Sequence, residues 1–251
     1  MLSLSPHAAF GISLLASVLA GAALLRWEIR RRELDAARWE EWLPGISLGA
    51  LAGARILALL ELDWRDLIST EWWRVFSFWD GGLSLLGALA GGLGVLGIQL
   101  WRSGQSAEGW LGALAGPLFL TVAGGRLGTF WEGRVFFGAP TESFPGIIVD
   151  NLLFPLSGIR HHPLSLYDAA LAGTLFLAAV LGKKRGGARR FFLLLGIFAT
   201  ARIFWETLRF DAIDFREGIT FGQLEAGALA GISFLLLFFF SKKNVEPESD
   251  R

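Results

Sequence analysis

The sequence predicts an all-α integral membrane protein with seven transmembrane helices, and three observations carry that prediction. Hydrophobic residues make up 53% of the 251-residue chain and charged residues only 18%, with a mean hydropathy of +0.49, too apolar for an ordinary soluble domain. The apolar residues gather into runs near the length that crosses a hydrocarbon core, about 20 residues for roughly 30 Å. Tryptophans Trp27, Trp42, Trp64, Trp79, Trp101 and Trp110 stand at the ends of those runs, as expected of an interfacial aromatic belt.

The runs are 8–26, 43–62, 83–101, 110–126, 167–182, 191–209 and 223–240. The first begins close to Met1, but Arg30, Arg31 and Arg32 follow it instead of preceding it. We therefore read it as a retained helix and not as a cleaved signal peptide. The third is introduced by Gly81, Gly82, Leu83 and Ser84 and contains Gly87, Gly91, Gly92 and Gly94. This matches no nucleotide-binding pattern, and small residues of this kind let helices approach closely in lipid. The fourth and fifth runs are short, which predicts tilted or partly re-entrant segments. Between them lies residues 127–166, a mixed stretch of a length that usually carries function. Residues 1–240 thus read as a single transmembrane bundle, and 241–251 as a polar, disordered tail.

Orientation follows from the basic residues. Counting a basic residue that ends a span with the connection it adjoins, fourteen Lys/Arg fall in the connections after spans one, three and five and in the tail, against seven on the other side. The positive-inside rule then puts the N-terminus outside and the C-terminus in the cytoplasm.

Charges inside such spans are costly and mark functional sites by default. Arg202, Glu206 and Arg209 recur at i, i+4 and i+7, which stacks them on one helix face. With the orientation above, they share the outer half of the membrane with Arg55 and Arg126. A structural reading pairs Arg202 with Glu206 and lets Arg126 and Arg209 snorkel outward. Four arginines against one helical glutamate, however, leave positive charge for an anionic lipid headgroup, and guanidinium forks suit phosphate. A phosphate-binding pocket is the reading we prefer.

Other classes of function are excluded or weakened. Zero formal net charge gives no footprint for nucleic acid. The absence of cysteine removes disulfides, thiolate metal sites and a cysteine nucleophile. Adjacent His161 and His162 have no acidic partner at metal spacing, so loop histidines held by hydrogen bonds are expected instead of zinc. We expect neither a metal nor a cofactor. Intramembrane arginines also line anion pathways, but no pair of broken helices in matching halves supports a transporter.

The segment Gly124–Thr141, GGRLGTFWEGRVFFGAPT, resembles the signature region of bacterial prolipoprotein diacylglyceryl transferases. Further segments resemble the same family in the same order. They are Gly53-Ala54-Arg55, Trp79-Asp80-Gly81-Gly82-Leu83-Ser84, and Arg160-His161-His162-Pro163 with Leu166-Tyr167-Asp168. Arg202, Glu206 and Arg209, followed by Thr220-Phe221-Gly222-Gln223, complete the set.

The resemblance implies transfer of a diacylglyceryl group from phosphatidylglycerol to the lipobox cysteine of a secreted precursor, with glycerol phosphate leaving. It implies a bacterial cytoplasmic (inner) membrane location, multi-pass and N-out, with residues 127–166 periplasmic and the active site facing outward. Membrane lipid and lipobox-containing precursors become the expected partners. Arg126, Arg202 and Glu206 become catalytic candidates, and Arg55, Gly128, Gly138, Arg209, His162 and Tyr167 substrate-binding ones.

This sequence also departs from the family pattern. Phe10 stands for a first-helix tyrosine, Leu86 for a third-helix histidine, Thr129 for an asparagine and Phe198 for a tyrosine. In the signature, Glu132 replaces an asparagine and Arg134 a glutamate. Glu132 is the first candidate for a replacement base, as a partly buried carboxylate can have its pKa raised into a useful range. An ion pair with Arg134 or Arg126 is its structural alternative, and His161 or His162 is the second candidate base. The alternative to an enzyme is a non-catalytic paralogue that binds phosphatidylglycerol or lipoprotein signal peptides.

Overall fold

A computed structural model describes residues 6–61, 72–76, 83–132, 138–143, 145–148, 159–182, 187–209, 214–216 and 218–243. Seven long helices occur among them: α1 Pro6–Arg31, α2 Ala36–Glu61, α3 Leu85–Ser103, α4 Ala107–Glu132, α5 Leu164–Leu181, α6 Gly187–Thr207 and α7 Phe221–Lys243. A 3₁₀ turn covers Trp72–Phe76. Two short antiparallel pairs complete the elements: β1 Ile147–Ile148 with β2 Arg160–His161, and β3 Asp214–Arg216 with β4 Ile219–Thr220.

Six of the seven helices are long and apolar enough to cross a membrane, α6 being the exception. Its charges, Arg189, Arg190, Arg202 and Glu206, are the reason. Leu19, Ile56, Leu235 and Phe239 are exposed, the pattern of a protein whose outer solvent is hydrocarbon. The chain is a helical membrane protein. The aromatic-belt reading needs correction in part: Trp27 and Trp101 are exposed, but Trp42 and Trp110 are buried.

The fourth span is not short. α4 runs for 26 residues with Pro117 inside it, so the apolar run of the sequence underestimates a helix whose last turns hold Arg126 and Glu132. α7 likewise continues to Lys243, three residues into the expected tail.

The helices fall into two compact units, residues 1–34 with 108–251, and residues 35–107. In the smaller one α2 packs on α3 through glycines at i, i+4 spacing. A Cβ on Gly53 would fall on the carbonyl oxygen of Gly87, and one on Gly91 on that of Gly49. Backbones approach this closely only where side chains are missing. The glycine-rich third span is therefore a packing surface, although Gly94 has nothing near it. Ser84 caps α3, its hydroxyl accepting from Gly87 N at 3.1 Å, and Gly104 ends it at φ 66°. At the head of α2, Asp35 Oδ1 accepts from Ala37 N at 3.0 Å.

In the larger unit, α1 packs on α4 through small residues. Ser13 Oγ donates to Gly124 O at 2.8 Å, and a Cβ on Gly124 would collide with Ser17 Oγ. The far end of α1 is tied by buried Glu28, which accepts from Arg31 Nη2 and Arg32 Nε, both at 2.9 Å. Glu108 on α4 accepts from Ala188 N on α6 at 3.0 Å, and Phe119 on α4 meets Phe198 on α6 edge-on at 6.0 Å. α7 lies along α6, with Phe234 filling the space that Gly196 leaves and Phe240 stacked on Phe192.

Candidate functional site

At one end of the larger unit α4 and α6 finish while α5 and α7 begin, and charged residues of α4, α5 and α6 meet there. Arg126 Nε on α4 lies 3.0 Å from Asp168 Oδ2 on α5. The same oxygen accepts from Arg202 Nη1 on α6 at 3.0 Å. Arg202 Nη2 donates to Glu206 Oε2 at 3.0 Å, and Arg209 Nη1 donates to Glu206 Oε1 at 2.5 Å. The result is a continuous series Arg126–Asp168–Arg202–Glu206–Arg209.

The middle of the series is buried, with Asp168 0% exposed, Glu206 1% and Arg202 6%, and Arg126 and Arg209 are half-buried at its ends. Each carboxylate bridges two guanidiniums, which is the arrangement that makes burial of charge tolerable. Three guanidiniums alternate with two carboxylates, so these five groups carry a net charge of +1. Asp168 Oδ1 is buried and has no hydrogen-bond partner among the described residues.

This corrects the sequence reading at two points. The arginines do not face a single glutamate, because Asp168 supplies a second carboxylate. Arg126 does not simply snorkel, because it is tied back to Asp168. Arg55 belongs to the other unit, where it is buried on α2. Glu132 ends α4, but its side chain lies outside the described residues, as does Arg134.

The beginning of α7 supports the series. Thr220 and Gln223 form a reciprocal capping box, Gln223 N to Thr220 Oγ1 at 3.1 Å and Thr220 N to Gln223 Oε1 at 3.0 Å. Gly222, between them, faces Glu206 so closely that a Cβ would overlap the carboxyl group. A carboxylate at a helix N-terminus is favoured by the helix dipole.

The loop residues are held by Gly138. Its N–H donates to His162 O at 2.8 Å, and the next N–H, of Ala139, donates to Leu208 O; Gly138 also bridges to Arg209. A Cβ here would lie 2.6 Å from His162 Cβ and 2.9 Å from Leu208 O, so only glycine fits. The two histidines differ. His161 is 2% exposed and its Nδ1 lies 2.9 Å from Gly138 O. His162 is half-buried and its Nδ1 lies 3.0 Å from the Tyr167 hydroxyl. Tyr167 in turn packs on Trp205 of α6, ring centres 6.2 Å apart. Gly128 faces α1, where a Cβ would meet Ser13 Cβ at 2.9 Å.

Fold and site together define a polytopic helical membrane protein with a buried ion-pair series where its helices end. The chain belongs to the prolipoprotein diacylglyceryl transferase family, whose family model matches residues 2–240. Three curated relatives carry the name phosphatidylglycerol–prolipoprotein diacylglyceryl transferase. The one from Rhodospirillum centenum is 31% identical over 73% of this chain and 69% of its own length. That from Synechococcus sp. strain CC9902 is 27% identical over 95% and 91%, and that from Gloeobacter violaceus 26% over 81% and 78%.

Proposed function

We propose that this chain transfers the diacylglyceryl group of phosphatidylglycerol to the thiol of a lipobox cysteine in a precursor protein. The observation that carries the reading is the Arg126–Asp168–Arg202–Glu206–Arg209 series, which gathers three guanidiniums at one end of the helices. Guanidinium forks match the geometry and charge of a headgroup phosphate. In the reaction the cysteine thiolate attacks the glyceryl carbon bonded to the phosphate oxygen. A C–S bond forms, the C–O bond breaks, and its electron pair leaves on glycerol phosphate. Arg126, Arg202 and Arg209 stabilise the charge that grows on that oxygen, while Glu206 and Asp168 hold the guanidiniums in place.

The full topology is part of the same proposal: seven spans in the bacterial cytoplasmic membrane, N-terminus out, with α4 and α6 ending at the outer face. The excess of Lys/Arg in the opposite connections supports it. Arg55 is proposed as a substrate-binding group from its charge inside a span and from the resemblance. Glu132, which departs from the family pattern, is proposed as a candidate replacement base because a partly buried carboxylate can have its pKa raised.

One observation favours a second reading, a paralogue that binds phosphatidylglycerol or a signal peptide without turnover. Phe198 and Leu86 are buried apolar side chains where the family pattern has a hydroxyl and an imidazole. The two are separated by incubating purified protein in phosphatidylglycerol-containing micelles with a synthetic lipobox peptide. A peptide mass increased by the diacylglyceryl thioether, and lost on Arg126→Ala, establishes the transferase. Bound phosphatidylglycerol with no product establishes the binder.

A further inference from the structure

We propose that His162 is the base that takes the thiol proton in this chain, with Tyr167 as the residue that positions its ring; this rests on the transferase reading. The reaction requires a proton acceptor, because the thiolate and not the thiol is the nucleophile. The position where the family pattern carries an imidazole is Leu86 here, buried and without acid–base capacity. Both carboxylates of the ion-pair series are tied to arginines, although Asp168 Oδ1 accepts from none of them. Each oxygen of Glu206 accepts from an arginine, and Asp168 Oδ2 accepts from two. Their place in the series is to hold the guanidiniums.

His162 differs from them and from His161. His161 is buried in the loop, part of the β2 pairing, with its Nδ1 on Gly138 O. His162 is half-buried, where His161 is buried. Its Nδ1 lies 3.0 Å from the Tyr167 hydroxyl, with the two rings edge-on at 6.1 Å. When Nδ1–H donates to the Tyr167 oxygen, the free lone pair is on Nε2, and that atom is the base. This is the usual logic of an imidazole oriented by an acceptor on its other nitrogen.

The placement is also right. Tyr167 directly precedes Asp168, the hub of the ion pairs. Gly138 hydrogen-bonds His162 and bridges to Arg209, so base and phosphate-binding arginine hang from one glycine. In the step itself the S–H proton passes to His162 Nε2. Sulfur bonds to the glyceryl carbon, glycerol phosphate leaves with the C–O electron pair, and the imidazolium returns its proton to that phosphate or to water.

The experiment measures single-turnover transfer to a lipobox peptide in phosphatidylglycerol micelles for the unsubstituted protein, His162→Ala, His162→Gln, Tyr167→Phe and Glu132→Gln. Phosphatidylglycerol binding is measured on each in parallel. A base role lowers kcat in both His162 variants by about 10²- to 10⁴-fold, leaves KM and lipid binding in place, and lets added imidazole restore part of the His162→Ala rate. Tyr167→Phe loses about 10- to 100-fold, the usual scale for a group that orients another. Full activity in His162→Ala, a loss that imidazole does not restore, or lost lipid binding each overturns the assignment. So does abolition by Glu132→Gln alone, with both His162 variants active. No product from the unsubstituted protein overturns the transferase reading itself, and the base role with it.

Discussion

Arg202 Nη1 donates to Asp168 Oδ2 at 3.0 Å, joining the sixth long helix to the fifth through two buried charges. Neither residue is stable there alone. Removing one partner of a buried pair leaves the other charged and desolvated, at a cost of about 3–5 kcal/mol. Asp168→Asn is therefore expected to lower thermal stability by that order and to abolish transfer, because Arg126 and Arg202 lose their shared anchor. Asp168→Glu, which keeps the charge, should retain stability within about 1–2 kcal/mol. Thermal unfolding in detergent with a parallel transfer assay checks both.

Arg202 contacts two carboxylates through two different nitrogens, Nη1 and Nη2. An ammonium cannot reproduce that planar fork. Arg202→Lys is expected to lose about 10- to 100-fold in kcat/KM while inserting normally, and Arg202→Ala to abolish activity. Arg126→Ala should do the same, since Arg126 brings the fourth long helix to the same carboxylate. If both alanine variants transferred at the unsubstituted rate, the phosphate-binding role would be wrong.

Much of this was legible in the sequence. The helices follow from apolar runs, and the stacking of Arg202, Glu206 and Arg209 follows from their i, i+4, i+7 spacing. Asp168 appeared only as the end of a Leu-Tyr-Asp segment, because its partners are 42 and 34 residues away and on other helices. Local periodicity carries no information about such pairs. The same effect hid the length of the fourth helix: Arg126 looks like a boundary until its ion pair with Asp168 allows the helix to continue past it. The two histidines were indistinguishable as letters, and only the Gly138 turn buries one and leaves the other half-exposed.

The glycines of the second and third long helices give a prediction independent of the chemistry. Gly53 meets Gly87 backbone to backbone, and Gly91 meets Gly49 in the same way. A side chain at either contact has nowhere to go without separating the helices. Gly53→Leu and Gly91→Leu should each destabilise by about 1–3 kcal/mol or more, whereas Gly94→Leu, with open space around it, should be tolerated. Melting temperatures of the three variants in one detergent decide it, and equal losses in all three would refute the packing assignment.

Gly222 tests how far the seventh long helix sets the charge of the site. The carboxyl of Glu206 occupies the space where a Cβ at residue 222 would stand. Gly222→Ala must therefore push Glu206 away from the helix N-terminus, and with it the oxygens that accept from Arg202 and Arg209. The Thr220–Gln223 capping box lies on the same turn and resists movement of the helix itself, so the side chain has to yield. The expected result is a loss of about 1–3 kcal/mol in stability together with a fall in phosphatidylglycerol affinity. Thr220→Val removes the hydroxyl cap while leaving that space unchanged, and should cost about 1 kcal/mol with lipid affinity largely retained. Equal effects of the two variants on affinity would mean that the helix start, and not the position of Glu206, is what the lipid senses.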